Sequence, residues 1–389
     1  MNRSRWLALG FLVGAAAGLV WTHRRIEQMV RSGVPGLLDW DRVWEVAARY
    51  CPEGGVQPEH APYYKALVHR AAGEVAAYTG LPVPPTALTV RVLDRRQWLN
   101  ANLDAFRAVL GPVEEIYGRT ASWRNPLTLF LGEPVCSLLS YQVGLMLGYL
   151  GQRVLGQYDM ALLGREPLRD GQLYFVQPNI RATQVELGLA GDDFPMWVAL
   201  HESTHAFQFQ SSPWLRDHLN GLLRAYLDEL EPEVEHLGQK LSPAGLADLL
   251  ERMARGEPWM LWALTARQRE LFEQMQAFMC LIEGYGNLVM RRVGQRILPT
   301  FAWIEAQVAR RRAQRTPAEK LLARLTGLEL KMEQYLQGER FADTVASRRG
   351  LAFLNRAWER PENLPTWDEI EHPERWMARM EARDVPEGR

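Results

Sequence analysis

The sequence predicts a mainly α fold, of the α+β class, with one small sheet. Three observations predict it. Helix start signals recur through the second half: Ser242-Pro243, Thr265 with Gln268, and Thr316-Pro317. Each sets a capping side chain before a first turn, followed by proline where a missing N–H costs nothing or by a glutamine able to bond back. Long apolar stretches follow helical spacing, and only two short stretches read as strands.

Taken in order, Pro52 to Pro62 and Leu81-Pro82-Val83-Pro84-Pro85 read as loops, with a helix over Ala61 to Tyr78 between them. Ala87 to Leu93 alternates Leu88, Val90 and Val92 against Thr89 and Arg91, the pattern of a strand. Leu138 to Leu155 reads as a strongly apolar helix. Its Gly144, Gly148 and Gly151 would let neighbours approach closely. Leu173 to Ile180 reads as a second strand, ended by Pro178-Asn179. Trp214 to Leu230 is amphipathic, and a long helix starts at Thr265 and runs to about Val293, stopped by Gly294. The expected division is an N-terminal hydrophobic segment with its linker, residues 1–37, and a domain over 38–389.

Composition narrows the function classes. With 47% hydrophobic residues, 14 Trp and 12 Phe, the 389-residue chain has ample material for a core. Its net charge of −1 provides no strong field, so no nucleic-acid partner is expected. The three cysteines, Cys51, Cys136 and Cys280, form no CxxC pair, which argues against a disulfide framework and a thiolate metal site.

Trp6 to Trp21 is uncharged and flanked by Arg3, Arg5, Arg24 and Arg25. Sixteen helical residues span only about 24 Å, short of a bilayer core of roughly 30 Å. A short membrane anchor through residues 6–21 is the favoured reading. A signal peptide and a packed helix are its competitors, so localisation is open between cytoplasmic and membrane-associated.

The strongest chemical signal is His201-Glu202-Ser203-Thr204-His205. On a helix, positions i and i+4 share one face, so two imidazoles can point at one ion. Glu202 lies beside them, placed to reach a water rather than the metal. Asp192 and Asp193 offer an N-terminal cap, Pro195 fits the first turn, and Trp197, Val198 and Leu200 supply apolar mass. The strand beginning at Leu173 would then form the sheet edge beside an extended substrate.

Catalytic zinc usually takes a third protein ligand. Ser211 occupies the position where HExxHxxGxxH places a third histidine, which excludes that form. His218 lies beyond Pro213, and His236 follows an acidic, solvated stretch. Glu283 is the better candidate. It adjoins the apolar stripe of Leu271, Met275, Met279, Ile282 and Val289, where a carboxylate needs a partner. Gly284 and Gly286 beside it would admit another helix. Asn287, one turn on, could hydrogen-bond a liganding histidine. The competing reading pairs Glu283 with an arginine such as Arg291.

Further segments accompany these motifs: Asp39-Trp40-Asp41, Gln152 to Asp159, Val176-Gln177-Pro178-Asn179-Ile180, Phe194 to Phe207, Leu281 to Gly286, Gly327 to Lys331 with Gln334-Tyr335, Gly338-Glu339-Arg340-Phe341, and Glu362 to Pro365. In that order they resemble the bacterial zincin-like metallopeptidases whose family is named for association with coenzyme F-420 biosynthesis. The likeness covers most of the chain from about Leu38 onward. It implies a zincin-like fold with an HExxH active-site helix, zinc held by His201 and His205, Glu202 as the catalytic residue, and Glu283 as third ligand. It also implies a peptide or protein substrate. In that family the position of Asn287 is commonly acidic, which is a departure here. The family name records genomic company, and no deazaflavin site is legible in the sequence. Tyr335 and Arg340 are the candidates for an oxyanion donor. The alternative function is a catalytically inactive, zinc-stabilised scaffold or partner-binding protein of peptidase ancestry.

Overall fold

A computed structural model of the chain describes residues 36–83, 88–120, 126–158, 172–189, 191–229, 265–313 and 328–383. The N-terminal segment, Ser242-Pro243, His236 and Thr316-Pro317 lie outside the described residues. Among those described, no helix is long and apolar enough to cross a membrane.

The chain opens on α1, Trp40–Tyr50, capped by the Asp39 side chain, which accepts the backbone N–H groups of Asp41 and Arg42. Helix α2 spans His60–Thr79 and stops at Gly80, whose φ of +67° is the left-handed C-cap conformation that glycine adopts most easily. Strand β1, Thr89–Leu93, leads into α3, Arg95–Thr120, and then α4, Pro126–Gly151. The glycines of α4 face protein: a side chain at Gly144 or Gly148 would strike α1 at Val46 or Tyr50, and one at Gly151 would strike Cys51. They are the seats of a buried helix pair.

The sheet has three strands in the order β1-β3-β2. Strand β2 is Gly156–Tyr158 and β3 is Gln172–Val176. β1 pairs with β3 in parallel and β2 pairs with it antiparallel. Thus β3 is the central strand and not the edge expected of it. Alternation along β3 explains its run of apolar residues. Leu173 and Phe175 enter the larger core, Tyr174 and Val176 the smaller one under α1, α3 and α4.

Pro178-Asn179 opens a helix instead of ending a longer strand: β3 stops at Val176 and α5 follows over Gln177–Glu186, with the proline in its first turn. The Asn179 side chain, buried, donates to the carbonyls of Gly151 and Val154 and accepts from Arg95. It thereby ties α5 to the turn before β2. Helix α6 spans Asp193–Ser211, α7 Trp214–Asp228 and α8 Ala266–Ile297. The Thr265–Gln268 capping box forms as expected. Helix α8 runs through Gly294 and ends at Ile297. There the glycine makes room for Phe301, whose ring a methyl group would meet at 2.6 Å.

Helix α9, Phe301–Ala313, and α10, Leu328–Arg349, follow. The short α11, Leu351–Asn355, α12, Trp367–Glu371, and α13, Pro373–Ala382, then close the larger core with Trp358 and Trp376.

Candidate metal centre

Helix α6 is buried on nearly every side, from Phe194 to Phe209. Such a helix is held by its neighbours more than by its own ends. The two aspartates illustrate this. Asp192 is the N-cap residue but its side chain caps nothing; it accepts from the Tyr63 hydroxyl, while Asp193 accepts from the Thr300 backbone and hydroxyl. Both therefore anchor α6 to other elements.

On this helix His201 and His205 stack one turn apart, their rings edge to face with centroids 4.5 Å apart. Their Nε2 atoms face each other at 3.1 Å. Glu283, on α8, completes a triangle: its Oε2 lies 3.4 Å from Nε2 of His201 and 3.6 Å from Nε2 of His205. These edges test the fit to a metal ion. A tetrahedral zinc with ligand distances of roughly 2.0–2.1 Å has ligand-to-ligand edges of about 3.3–3.4 Å. The three donors match that triangle, and their types suit zinc.

Two glycines bring Glu283 here. A methyl group on Gly286 would sit 3.1 Å from Cε1 of His205 and 3.3 Å from Cε1 of His201, so bare backbone lets α8 lie against both rings. On another face, Gly284 meets Gly338 of α10 backbone to backbone. Arg291 pairs with Glu305 and Glu339, leaving Glu283 to the histidines.

Burial opposes the charge on Glu283, but the two imidazoles outweigh it and hold the carboxyl well below the usual carboxylate range. Burial likewise opposes protonation of His205, but Glu283 outweighs it and pushes the imidazole up to about 9. The cluster thus favours positive charge beside the carboxylate, which a divalent cation would supply in place of the proton.

Glu202 points elsewhere. It is buried and accepts the backbone N–H of Tyr158, with its side chain resting on Gly156. The pairing explains why β3 does not use this amide: Val176 donates to the Leu155 carbonyl, so residues 156 and 158 turn their backbone groups away from β3. Burial raises the Glu202 pKa, with the nearby histidines pulling the other way. Strand β2 is held from both faces. Gln157 accepts from the Trp98 indole and donates to Asn102, while the Tyr158 ring stacks on Phe209 of α6.

Asn287 lies half-buried on α8 one turn past Glu283. The partner of Nδ1 on His205 is Gln208, at 2.9 Å, and Nδ1 of His201 is buried with no hydrogen-bond partner among the described residues. Gln208 was not among the expected site residues, although it lies three positions after His205 and so on a neighbouring part of the same helix face. Strand β2 was also missed, since three residues are too few to display alternation. His218 packs between Trp214 and Phe278, apart from the triangle. Tyr285 faces away, its hydroxyl donating to Asn355. Arg340 is exposed on α10, and the Tyr335 side chain lies outside the described residues.

A solved structure from Chloroflexus aurantiacus, provisionally described as a hydrolase with a novel fold, is similar at 39% identity and a TM-score of 0.65. The match covers 90% of this chain and 100% of that one. No curated protein matches the chain. The family model for zincin-like metallopeptidases matches residues 38–377. The chain belongs to the zincin-like metallopeptidase family.

Proposed function

We propose that this protein is a zinc-dependent peptidase, with His201, His205 and Glu283 as metal ligands and Glu202 as general base. The observation that carries the reading is the triangle of Nε2, Nε2 and Oε2 atoms, with zinc-sized edges, beside a buried carboxylate that is not part of it. When bound, zinc supplies Lewis acidity, polarising the scissile carbonyl and making water more acidic. Glu202 takes the proton of the attacking water and hands it to the leaving amine. A buried carboxyl with a raised pKa suits the second half of that task, because it holds the proton between the two steps.

The outward-facing backbone groups of Gly156 offer an extended peptide an edge to pair with, next to Glu202, which takes the Tyr158 N–H. A peptide substrate is also consistent with the near-neutral chain, which has no field to gather a polyanion. Residues 6–21 are proposed as a membrane attachment, which fractionation before and after deletion of residues 1–25 tests.

Metal analysis and peptide-library hydrolysis test the main reading. The purified chain should carry about one zinc, and Glu202→Gln should keep the metal while hydrolysis falls about 10²–10⁴-fold. A wild type that binds no zinc overturns the metal assignment. Full activity in Glu202→Gln overturns the role of Glu202. Zinc without hydrolysis of any peptide supports the scaffold reading instead.

A further inference from the structure

We infer that Gln208 is a positioning residue that sets His205 in its metal-binding tautomer and ties it to the helix carrying Glu283. The inference rests on the zinc reading above. Gln208 is wholly buried. Its Nε2 lies 3.1 Å from the main-chain oxygen of Ile282. A carbonyl oxygen only accepts, so this contact settles which way the amide points: nitrogen toward Ile282, oxygen toward His205. Oε1 lies 2.9 Å from Nδ1 of His205. Oε1 also only accepts, so Nδ1 carries the hydrogen.

In a neutral imidazole that leaves the lone pair on Nε2, the atom facing Nε2 of His201 and Oε2 of Glu283. Reversing the amide would set its oxygen against the Ile282 oxygen, two acceptors face to face, and lose that bond. Ile282 immediately precedes Glu283, so the same side chain also spaces the two ligand-bearing helices. His201 has no equivalent support: its Nδ1 is unpartnered among the described residues. Both rings lie against Gly286, and the His205 ring is also tied through Gln208 to the Ile282 carbonyl.

The test measures zinc dissociation constants by chelator competition, and thermal stability of the metal-free protein, for the full chain and two variants. Gln208→Leu keeps the bulk and removes both hydrogen bonds. Gln208→Glu keeps an acceptor for Nδ1 but cannot donate to Ile282. We expect Gln208→Leu to bind zinc about 10–100-fold more weakly and Gln208→Glu to stay within about threefold of the wild type. Both should lower the metal-free melting temperature. Equal loss of affinity in the two variants, or none in Gln208→Leu, overturns the role of Gln208. Should Gln208→Leu fail to fold, ¹⁵N-histidine NMR of the zinc-loaded wild type decides. Coordination of His205 through Nε2 with a slowly exchanging Nδ1–H supports the inference, and coordination through Nδ1 overturns it. A wild type that binds no zinc overturns the zinc reading itself, a result distinct from zinc binding that ignores Gln208.

Discussion

The side chain of Glu202 rests on the bare α-carbon of Gly156, so closely that a methyl group there would sit 2.6 Å from its Cγ and 2.8 Å from its Oε1. Gly156 has no positive φ, so alanine meets no backbone strain at this position, and its effect must pass through Glu202. Gly156→Ala should therefore keep zinc and fold, yet lose hydrolysis by about 100-fold or more, as a displacement of the order of an ångström does to a reacting group. Zinc content and kcat/KM measured together check this. Unchanged kcat/KM would show that Glu202 tolerates the displacement.

The contact between Gly284 and Gly338 should be far less forgiving. A methyl group on Gly338 would overlap the main chain of Cys280, and one on Gly284 would overlap the main chain of α10. No side chain can swing aside there. Either alanine variant should cost about 3 kcal/mol or more in urea denaturation, the upper end for overpacking. A loss below 1 kcal/mol would mean that the two helices part easily.

Glu283→Gln removes the charged corner of the triangle while keeping its shape. Zinc affinity should fall by more than the roughly 10–100-fold that losing a supporting hydrogen bond costs. Chelator competition measures it directly. Affinity equal to that of the wild type would remove Glu283 from the ligand set.

The thiols should be nearly inert. Burial pushes Cys51 up to about 11 and Cys280 up to about 12, and it raises Cys136 as well. The sign is direct: a raised pKa leaves less thiolate at a given pH. At pH 8 a thiol of pKa 11 is only about 0.1% thiolate, against roughly a quarter for a free cysteine. A thiol-reactive dye at pH 8 should label at most Cys136 in the native protein and all three cysteines after denaturation. Rapid native labelling of Cys51 or Cys280 would contradict the packing around them.

Thr265→Ala removes one half of the capping box at the start of α8. It should cost about 1 kcal/mol in chemical denaturation without changing zinc affinity, because the cap lies several turns before Glu283. A matching drop in affinity would show that fraying reaches the site.

That cap was legible from the sequence because its two partners sit three residues apart. The same locality made His201, Glu202 and His205 legible, since helical spacing alone puts the imidazoles on one face. Glu283 required a weaker argument, a carboxylate beside an apolar stripe and two glycines; the structure gives each glycine a distinct neighbour, α10 for Gly284 and the histidine rings for Gly286. What escaped depended on tertiary context. Pro178 can end a strand or begin a helix, and only the pairing of β3 decides between them. Gly294 reads as a stop, yet the close approach of Phe301 uses it within α8. The sheet edge passed to β2, three residues whose position depends on Trp98, Asn102 and Phe209 from other elements.

The hydrogen bond from Gln208 to Ile282 joins residues 74 positions apart in the chain. During synthesis the histidine helix leaves the ribosome first, well before Glu283 and before the Gly338 backbone against which α8 packs. A nascent chain therefore holds two of the three donors with nothing to close the triangle. On the proposed reading, hydrolysis has to wait until the chain has been made past Glu283 and α8 has packed against the histidine helix.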